Sequence, residues 1–274
     1  MKLCVSQWKN RRGRETAAIS IGLFILSLCV AAVLYRWINP SINTMETVDS
    51  FRFVKPKVES PSIRTWHHVD GLPAAIAQID SVFWEPDDTS TLREWLISSN
   101  RLANADVLEI GCGTGLVAIT CALHGAKQVI ATDINPAAVV NTAYNAELSG
   151  VQERVFVRRV NEARAGPFEV ISANEKFDLI ISNPPWEDAP VTSSAAYAFY
   201  DPSFKLLDGI LSQSKEHLNP NGRLLLAYGC KTAIQRVLTV APRLGWQIKI
   251  QDDRRLEQLP EVFLPGMLLE LRVQ

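Results

Sequence analysis

The stretch Asp106-Val-Leu-Glu-Ile-Gly-Cys-Gly-Thr-Gly115 decides the interpretation of this chain of 274 residues. The apolar and β-branched residues before the glycines predict a buried strand, and the apolar series that begins at Leu116 predicts a helix. Glycines in the turn between them tolerate positive φ and leave main-chain N–H groups open to a ligand, because no Cβ stands in the way. This order of strand, glycine loop and helix favours a nucleoside ligand.

The spacing of the glycines narrows the choice of nucleoside. A dinucleotide fingerprint G-x-G-x-x-G would need its third glycine at position 116, which is Leu116. The chain has E-x-G-x-G-x-G instead, from Glu109 to Gly115, and this pattern resembles the first motif of the class I S-adenosylmethionine-dependent methyltransferases. The next predicted strand, residues 128–132, ends at Asp133, whose carboxylate can accept hydrogen bonds from both ribose hydroxyls. Together the two signals predict S-adenosyl-L-methionine as the cofactor.

The charge balance and the cysteine content argue against several other classes of protein. Lys plus Arg count 28 and Asp plus Glu count 29, so the chain lacks the overall basic charge that drives nonspecific nucleic-acid binding. A nucleic-acid partner is therefore less favoured, although it stays open. The five cysteines contain no C-x-x-C pair and the four histidines show no ligand spacing. We therefore predict neither a disulfide framework nor a metal site.

The N-terminal part of the chain predicts a membrane anchor. Residues 1–16 form a basic flank, and residues 17–36 contain an apolar run without charges, close to the roughly 20 residues that a membrane-spanning helix needs. The run is long for a signal peptide, whose apolar region has about 7–15 residues, and Leu28 is bulky for a lipoprotein site at Cys29. We predict a retained single-pass transmembrane helix, with the lipid bilayer as a partner.

The orientation of this predicted anchor is in conflict with the cofactor. The excess of Lys and Arg before the span predicts that the rest of the chain crosses the membrane, whereas S-adenosylmethionine is a cytosolic metabolite. We expect a single-pass membrane protein with a cytosolic catalytic domain. Residues 37–64, which mix prolines with polar residues, predict a linker, and residues 65–274 are predicted to form the methyltransferase domain.

The pattern of elements in residues 65–274 predicts an α/β fold. Strands alternate with helices, which implies a mostly parallel sheet covered on both faces. One helix is well marked, because Asn135 is a typical N-cap, Pro136 suits the first position and Gly150 follows the end. Seven strands are predicted, at 106–110, 128–132, 155–160, 177–182, 223–228, 246–250 and 267–273. We expect a Rossmann-like sheet, and the resemblance above implies that its last strand is antiparallel.

The sequence Asn183-Pro-Pro-Trp186 is the most specific feature of the chain. It follows the fourth predicted strand, at the sheet edge where ligands bind in open α/β sheets. The Asn183 carbonyl and the Pro184 carbonyl can both accept hydrogen bonds, and Trp186 offers a flat face for stacking. Two acceptors and a ring suit a planar NH2 group, whose lone pair they would orient toward a methyl donor. The predicted catalytic residues are Asn183, Pro184, Pro185 and Trp186.

With its earlier motifs, the chain from about Val82 onward resembles the amino-methylating branch of the class I methyltransferases. That branch includes the glutamine N5-methyltransferases of release factors and the adenine-N6 and guanine-N2 methyltransferases of nucleic acids. The stretch Glu85-Pro-Asp-Asp-Thr89 is similar to an acidic segment of the glutamine enzymes, and Asn161-Glu162 stands where a Gly-Asp pair contacts the adenine. The residues that the motifs and the resemblance imply for the cofactor are Pro86, Asp88, Thr89, Glu109, Gly111, Cys112, Gly113, Thr114, Gly115, Asp133, Ile134, Asn161 and Glu162.

These observations predict an enzyme that methylates a planar nitrogen. A glutamine side chain in a protein is the favoured acceptor, and a nucleic-acid base amine is the alternative. A small-molecule methyltransferase and an inactive, membrane-tethered binding module stay open as further readings. The aromatic residues between Glu187 and Tyr200 either cover the acceptor site or pack under a long loop.

Overall fold

A computed structural model describes residues 62–274, and its centre is a seven-stranded sheet. The strands are β3 (Asp106–Ile110), β4 (Gln128–Asp133), β5 (Val155–Arg159), β6 (Phe177–Ser182), β7 (Leu218–Cys230), β8 (Trp246–Ile250) and β9 (Val262–Val273). They lie in the order β5-β4-β3-β6-β7-β9-β8. All neighbours from β5 to β7 are parallel, and β9 runs antiparallel to both β7 and β8. The sheet therefore has the Rossmann-like arrangement, with the antiparallel last strand, that was expected.

The predicted fold class is wrong in one part, the transmembrane helix. Within residues 62–274 no helix is long and apolar enough to cross a membrane. The longest helix in this range, Pro136–Leu148, has 13 residues, whereas a membrane-spanning helix needs about 20. The predicted span itself, residues 17–36, lies outside the described residues. The same is true of the basic flank at 1–16 and most of the predicted linker at 37–64.

In the part of the chain that the structure describes, five α-helices cover the two faces of the sheet. They are α1 (Ser90–Ser98), α2 (Leu116–Leu123), α3 (Pro136–Leu148), α4 (Lys205–Gln213) and α5 (Lys231–Val240). Apolar residues of α1, α2 and α3 pack with Val107 on one face. Residues of α4 and α5 pack with Leu108 and Ile110 on the other. Successive residues of β3 thus enter different cores, as the two-residue period of a strand requires, which explains why the strands are apolar on both sides.

A small ribbon precedes the main sheet. Its strands β1 (Ile63–His67) and β2 (Ile76–Ile79) pair antiparallel, in a region where no strand was predicted. Two asparagines of α3 hold β2 by its backbone: Ala77 N–H donates to Asn145 Oδ1 at 2.9 Å, and Ile79 N–H donates to Asn141 Oδ1 at 3.0 Å. Side-chain amides thus take the place of a neighbouring strand, and they fix the ribbon next to the segment that begins at Val82.

Some elements differ in length from the prediction. The apolar spacing of residues 203–218 predicts one long helix, but the observed helix is shorter, because Ser203 and Phe204 have positive φ values of 59° and 54° and α4 begins only at Lys205. Strand β7 begins earlier than expected, at Leu218, because this residue pairs with Phe177. The sequence also predicts a helix over residues 232–244, but α5 ends at Val240 and is followed by a 3-10 turn that starts at Pro242.

Candidate active site

The loop between β3 and α2 has the backbone that only glycines adopt freely. Gly111, Gly113 and Gly115 have φ values of 81°, 53° and 83°. A Cβ added at Gly111 or Gly113 would meet no atom within 4 Å, so the loop is open on that side. At Gly115 an added Cβ would lie 2.9 Å from Cγ2 of Thr142. The loop is therefore packed against α3 on one side and accessible to a ligand on the other.

A cavity of about 600 Å³ lies over this loop at the carboxyl ends of β3, β4 and β6. Its size is within the range of small-molecule sites. The predicted site residues that line it are Pro86, Asp88, Thr89, Glu109, Gly111, Cys112, Gly113, Thr114, Asp133, Ile134, Asn183, Pro184, Pro185 and Trp186. Gly115 lies behind the lining. Asn161 and Glu162 are exposed and do not line the cavity, although the adjacent Val160 does.

Asp133, at the end of β4, is held by backbone donors. Its Oδ2 accepts from the N–H of Gly113 at 2.9 Å, and its Oδ1 accepts from the N–H of Asn135 at 2.8 Å. Burial raises the pKa of this carboxyl, and the backbone hydrogen bonds partly oppose the effect. Each carboxylate oxygen can accept more than one hydrogen bond, so Asp133 can still receive the two hydroxyls of a ribose from the cavity.

Glu109 lies beneath the loop with an unused oxygen. Its side chain is buried, and Oε2 has no hydrogen-bond partner among the described residues. Burial raises the pKa of this carboxyl well above its ordinary value, and the charge of Asp133 raises it further. A buried acceptor without a partner is costly. Because Glu109 also lines the cavity, a ligand donor would remove this cost.

Cys112 and Thr114 serve the loop mainly through packing and backbone contacts. The hydroxyl of Thr142 donates to the Gly113 carbonyl at 3.0 Å and lies 3.2 Å from Cys112 Sγ. Burial raises the pKa of the Cys112 thiol well above its ordinary value, so the thiol is neutral and a poor nucleophile. The carbonyl of Thr114 accepts from Asn145 Nδ2 at 2.9 Å. Asn145 therefore ties the glycine loop and the ribbon to the same helix.

Asn183 follows β6 directly, and its side-chain amide is oriented by a carboxylate. Its Nδ2 donates to Asp88 Oδ2 at 2.7 Å. Among the described residues, its Oδ1 receives only a long contact from Trp186 Nε1, at 3.5 Å, which is at the limit of a hydrogen bond. The amide oxygen is therefore available to accept a hydrogen bond from a donor in the cavity.

Two glycines on the antiparallel side of the sheet make room for the site. A Cβ added at Gly229 of β7 would lie 2.5 Å from Cη2 of Trp186, and one at Gly266 of β9 would collide with the carbonyl of Asp88. Sequence reasoning missed both residues. A glycine inside a strand is a signal of close approach, but the sequence does not say which segment approaches.

The 3-10 turn Pro86–Thr89 forms one wall of the cavity. Glu85 caps it by accepting from the N–H of Asp87 at 3.2 Å. Asp88 and Thr89 are buried, whereas Asp87 is exposed. Burial is the main reason that the pKa of Asp88 is raised from 3.8 to about 7.

The aromatic residues of the loop between Glu187 and Tyr200 line the cavity and also pack against a neighbouring segment. Tyr197, Phe199 and Tyr200 line the cavity, and Phe199 packs edge-on against Phe83 with ring centroids 5.2 Å apart. The ends of the loop are joined, since Asp201 N–H donates to the Glu187 carbonyl at 2.8 Å.

For the region from 62 to 274, no group of three or more His, Cys, Asp or Glu side chains is placed to hold a metal ion.

Comparisons with known proteins agree with this geometry. The model of the ribosomal protein L11 methyltransferase family matches residues 89–185. A Methanocaldococcus jannaschii protein named as an N5-glutamine methyltransferase is 33% identical over 173 residues, which cover 61% of this chain and 82% of that protein. The release factor glutamine methyltransferase of Cereibacter sphaeroides is 36% identical over 137 residues. That match covers 46% of this chain and 47% of the relative, so the chain spans about half the length of this second relative.

Solved structures support the fold. The ribosomal protein L11 methylase of Lactobacillus delbrueckii subsp. bulgaricus superposes with a TM-score of 0.51 at 19% identity. The superposition covers 73% of this chain and 85% of that one. At this level of identity the likeness concerns the arrangement of helices and strands alone.

Proposed function

Because the chain belongs to the class I S-adenosylmethionine-dependent methyltransferases, in the Asn-Pro-Pro-aromatic branch that includes the protein glutamine N5-methyltransferases, we propose that its acceptor is the side-chain amide of a protein glutamine. The observation that carries the proposal is the amide oxygen of Asn183, a residue that lines the cavity, because within residues 62–274 this oxygen has only one long contact. A hydrogen-bond acceptor at this place suits a methyl-accepting nitrogen that is planar and carries two hydrogens.

The residues around the glycine loop fit the cofactor. The open backbone at Gly111 and Gly113 admits the methionine part of the molecule without a clash with side chains. Asp133 can accept the ribose hydroxyls, and the unpaired Oε2 of Glu109 can accept a further donor. When bound, S-adenosylmethionine supplies the electrophilic methyl group.

The residues after β6 orient the acceptor nitrogen. An amide nitrogen is a weak nucleophile because its lone pair is delocalised into the carbonyl. The Asn183 oxygen and the Pro184 carbonyl can each accept one N–H of the acceptor, which holds the NH2 group in one orientation with its lone pair toward the methyl donor. Rate then comes from positioning and from fixed dipoles. Trp186, held against Gly229, limits the space beside the NH2 group.

A protein acceptor is favoured over a nucleic acid by two considerations. The most similar relatives described above carry names that specify protein acceptors, namely protein glutamine and release factors. The chain also has 28 basic against 29 acidic residues, whereas nucleic-acid enzymes bind phosphates through excess positive charge. Base amines stay the alternative, because an exocyclic NH2 has the same planar shape as an amide.

The test uses the full-length protein and S-adenosylmethionine with a tritiated methyl group. After incubation with a cell extract, the label is measured in protein and in RNA separately, and labelled protein is hydrolysed under conditions that preserve methylated side chains. We expect label in protein, recovered as N5-methylglutamine.

The control is the Asn183→Ala variant, which should bind the cofactor and transfer no methyl group above background. Label that is found only in RNA would overturn the glutamine proposal in favour of a base amine. Label recovered as a methylated lysine would keep a protein acceptor but exclude the amide.

A further inference from the structure

We propose that Asp88 is a positioning residue, which locks the side-chain amide of Asn183 with its oxygen toward the acceptor nitrogen. The inference rests on the proposed function, since it concerns the same site and the same methyl transfer. It gives Asp88 the role of orienting Asn183, whereas the sequence predicted that Asp88 contacts the cofactor.

The lock follows from the chemistry of the two side chains. The oxygen and nitrogen ends of an asparagine amide have nearly the same shape, so packing distinguishes them poorly. An ionised carboxylate can only accept hydrogen bonds. With Asp88 Oδ2 at 2.7 Å from Asn183 Nδ2, a rotated amide would place its oxygen against a carboxylate oxygen. Ionised Asp88 therefore permits one orientation of Asn183.

The orientation matters because the two ends do opposite things to an incoming NH2 group. The oxygen accepts one of its N–H bonds, whereas a rotated Asn183 would present two donors to another donor. The rotated state can bind the cofactor, since the glycine loop and Asp133 are unaffected, but it cannot hold the acceptor nitrogen. The observed kcat therefore falls in proportion to the fraction of molecules in which Asn183 is rotated.

The wall that carries Asp88 is built to fix the position of this carboxylate. Gly266 of β9 lets the backbone of Asp88 approach the strand closely. Thr91 Oγ1 donates to the Gly266 carbonyl at 2.5 Å, and Arg93 Nη2 donates to the Pro86 carbonyl at 3.0 Å. The first contact ties helix α1, which follows the turn directly, to β9, and the second ties the turn to α1; neither uses the carboxylate.

Protonation of Asp88 would release the lock. Burial, above all, raises the pKa of Asp88 from 3.8 to about 7, while the hydrogen bond from Asn183 lowers it. The charge of Glu85 raises this pKa, whereas Arg93 and the Thr89 hydrogen bond lower it, and β9 meets the turn with the Gly266 backbone. A protonated Asp88 has an O–H that can donate to the oxygen of a rotated Asn183. Turnover should therefore rise with pH through about 7.

The first experiment needs no acceptor. The side-chain NH2 signals of Asn183 are followed by ¹H–¹⁵N NMR of the full-length protein with S-adenosylhomocysteine bound, and they are identified as the pair that is missing in Asn183→Asp. We expect these signals to move between pH 5 and 9 with a midpoint near 7. In Asp88→Asn the movement should disappear. Asp87→Asn, the same substitution at the exposed neighbour in the same turn, should behave like the native protein.

The second experiment measures methyl transfer to the acceptor protein across the same pH range. For Asp88→Asn we expect kcat to be about 100-fold lower at pH 8, because misplacement of reacting groups causes losses of this order. We also expect no inflection near pH 7 in the dependence of kcat on pH. Affinity for S-adenosylhomocysteine, measured by calorimetry, should stay within a few-fold of the native value.

The outcomes separate this inference from the proposed function. The proposal for Asp88 is overturned if the Asn183 signals do not move with pH. It is also overturned if the inflection of kcat near pH 7 persists in Asp88→Asn. A loss of cofactor affinity in Asp88→Asn as large as the loss of kcat also overturns it, because Asp88 would then act on the cofactor. Failure to find a glutamine acceptor would contradict the proposed function and leave the inference about Asp88 standing, since the NMR result does not depend on the acceptor.

Discussion

Replacing Gly115 by alanine should destabilise the protein through two separable effects. The residue has a φ of 83°, and a left-handed backbone costs a residue with a Cβ roughly 1–2 kcal/mol. The new methyl would also lie 2.9 Å from Thr142 Cγ2 and 3.1 Å from both Cα and Cβ of Thr142. Overpacking of this kind costs about 1–3 kcal/mol. The free energy of unfolding should therefore fall by about 2–5 kcal/mol.

Gly150→Ala is the matched control for this substitution. Gly150 has a φ of 69°, but an added Cβ would meet nothing within 4 Å. Its loss should be limited to the backbone cost of roughly 1–2 kcal/mol. The difference between the two variants therefore measures the contact with Thr142.

The assay is equilibrium unfolding in urea, with the m values compared so that only changes in the midpoint are read as changes in stability. Thr142→Ser removes the nearest atom, Cγ2, and keeps the hydroxyl that donates to the Gly113 carbonyl. In the Gly115→Ala background it should therefore cost less than it does alone. Equal losses for Gly115→Ala and Gly150→Ala, with no coupling to Thr142, would refute the steric argument.

Three further predictions concern the carboxylates and the amide of the site. Asn183→Ala should bind S-adenosylhomocysteine within a few-fold of native affinity and lower kcat by orders of magnitude, because it removes positioning in the transition state; loss of binding in calorimetry would contradict this role. Asp133→Ala should weaken cofactor binding by about 1.5–3 kcal/mol, the worth of hydrogen bonds to a charged group, and unchanged affinity would remove Asp133 from the ribose site. The pKa of Asp88 is raised to about 7 in the folded protein, so the folded protein binds this proton more tightly than the unfolded chain does. Ionisation of Asp88 therefore lowers the free energy of unfolding progressively as pH rises from about 4 to 7. Asp88→Asn should consequently unfold at higher urea than the native protein at pH 8 and show no such advantage at pH 4.

The parts of the fold that the sequence predicted well are those with local signals. The strand at Asp106, the positive-φ glycines and the N-cap Asn135, which accepts from the N–H of Ala137 at 3.0 Å, each depend on residues a few positions apart. The ribbon could not be predicted in this way. It depends on Asn141 and Asn145, and buried asparagines inside a helix do not reveal which distant backbone they hold.

The same distinction applies to the candidate site. The glycine loop, Asp133 and Asn183 follow strands of one parallel sheet, so topology alone brings them to one edge. Asn161 was expected at the cofactor because of its place after β5, but its side chain accepts from the N–H of Ala163 at 2.9 Å and starts a 3-10 turn. That local bond turns the side chain away from the cavity, and its cofactor contact stays a prediction.

The antiparallel strands supply what the parallel ones cannot. A Cβ at Gly229 would lie 2.5 Å from Cη2 of Trp186, and one at Gly266 would collide with the carbonyl of Asp88, so both strands need a glycine where these segments approach. An alanine at Gly229 would press on Trp186, and one at Gly266 would press on the backbone of Asp88. Under the proposed function, the antiparallel strands would therefore shape the acceptor side of the cavity, whereas the glycine loop and Asp133 would hold the cofactor.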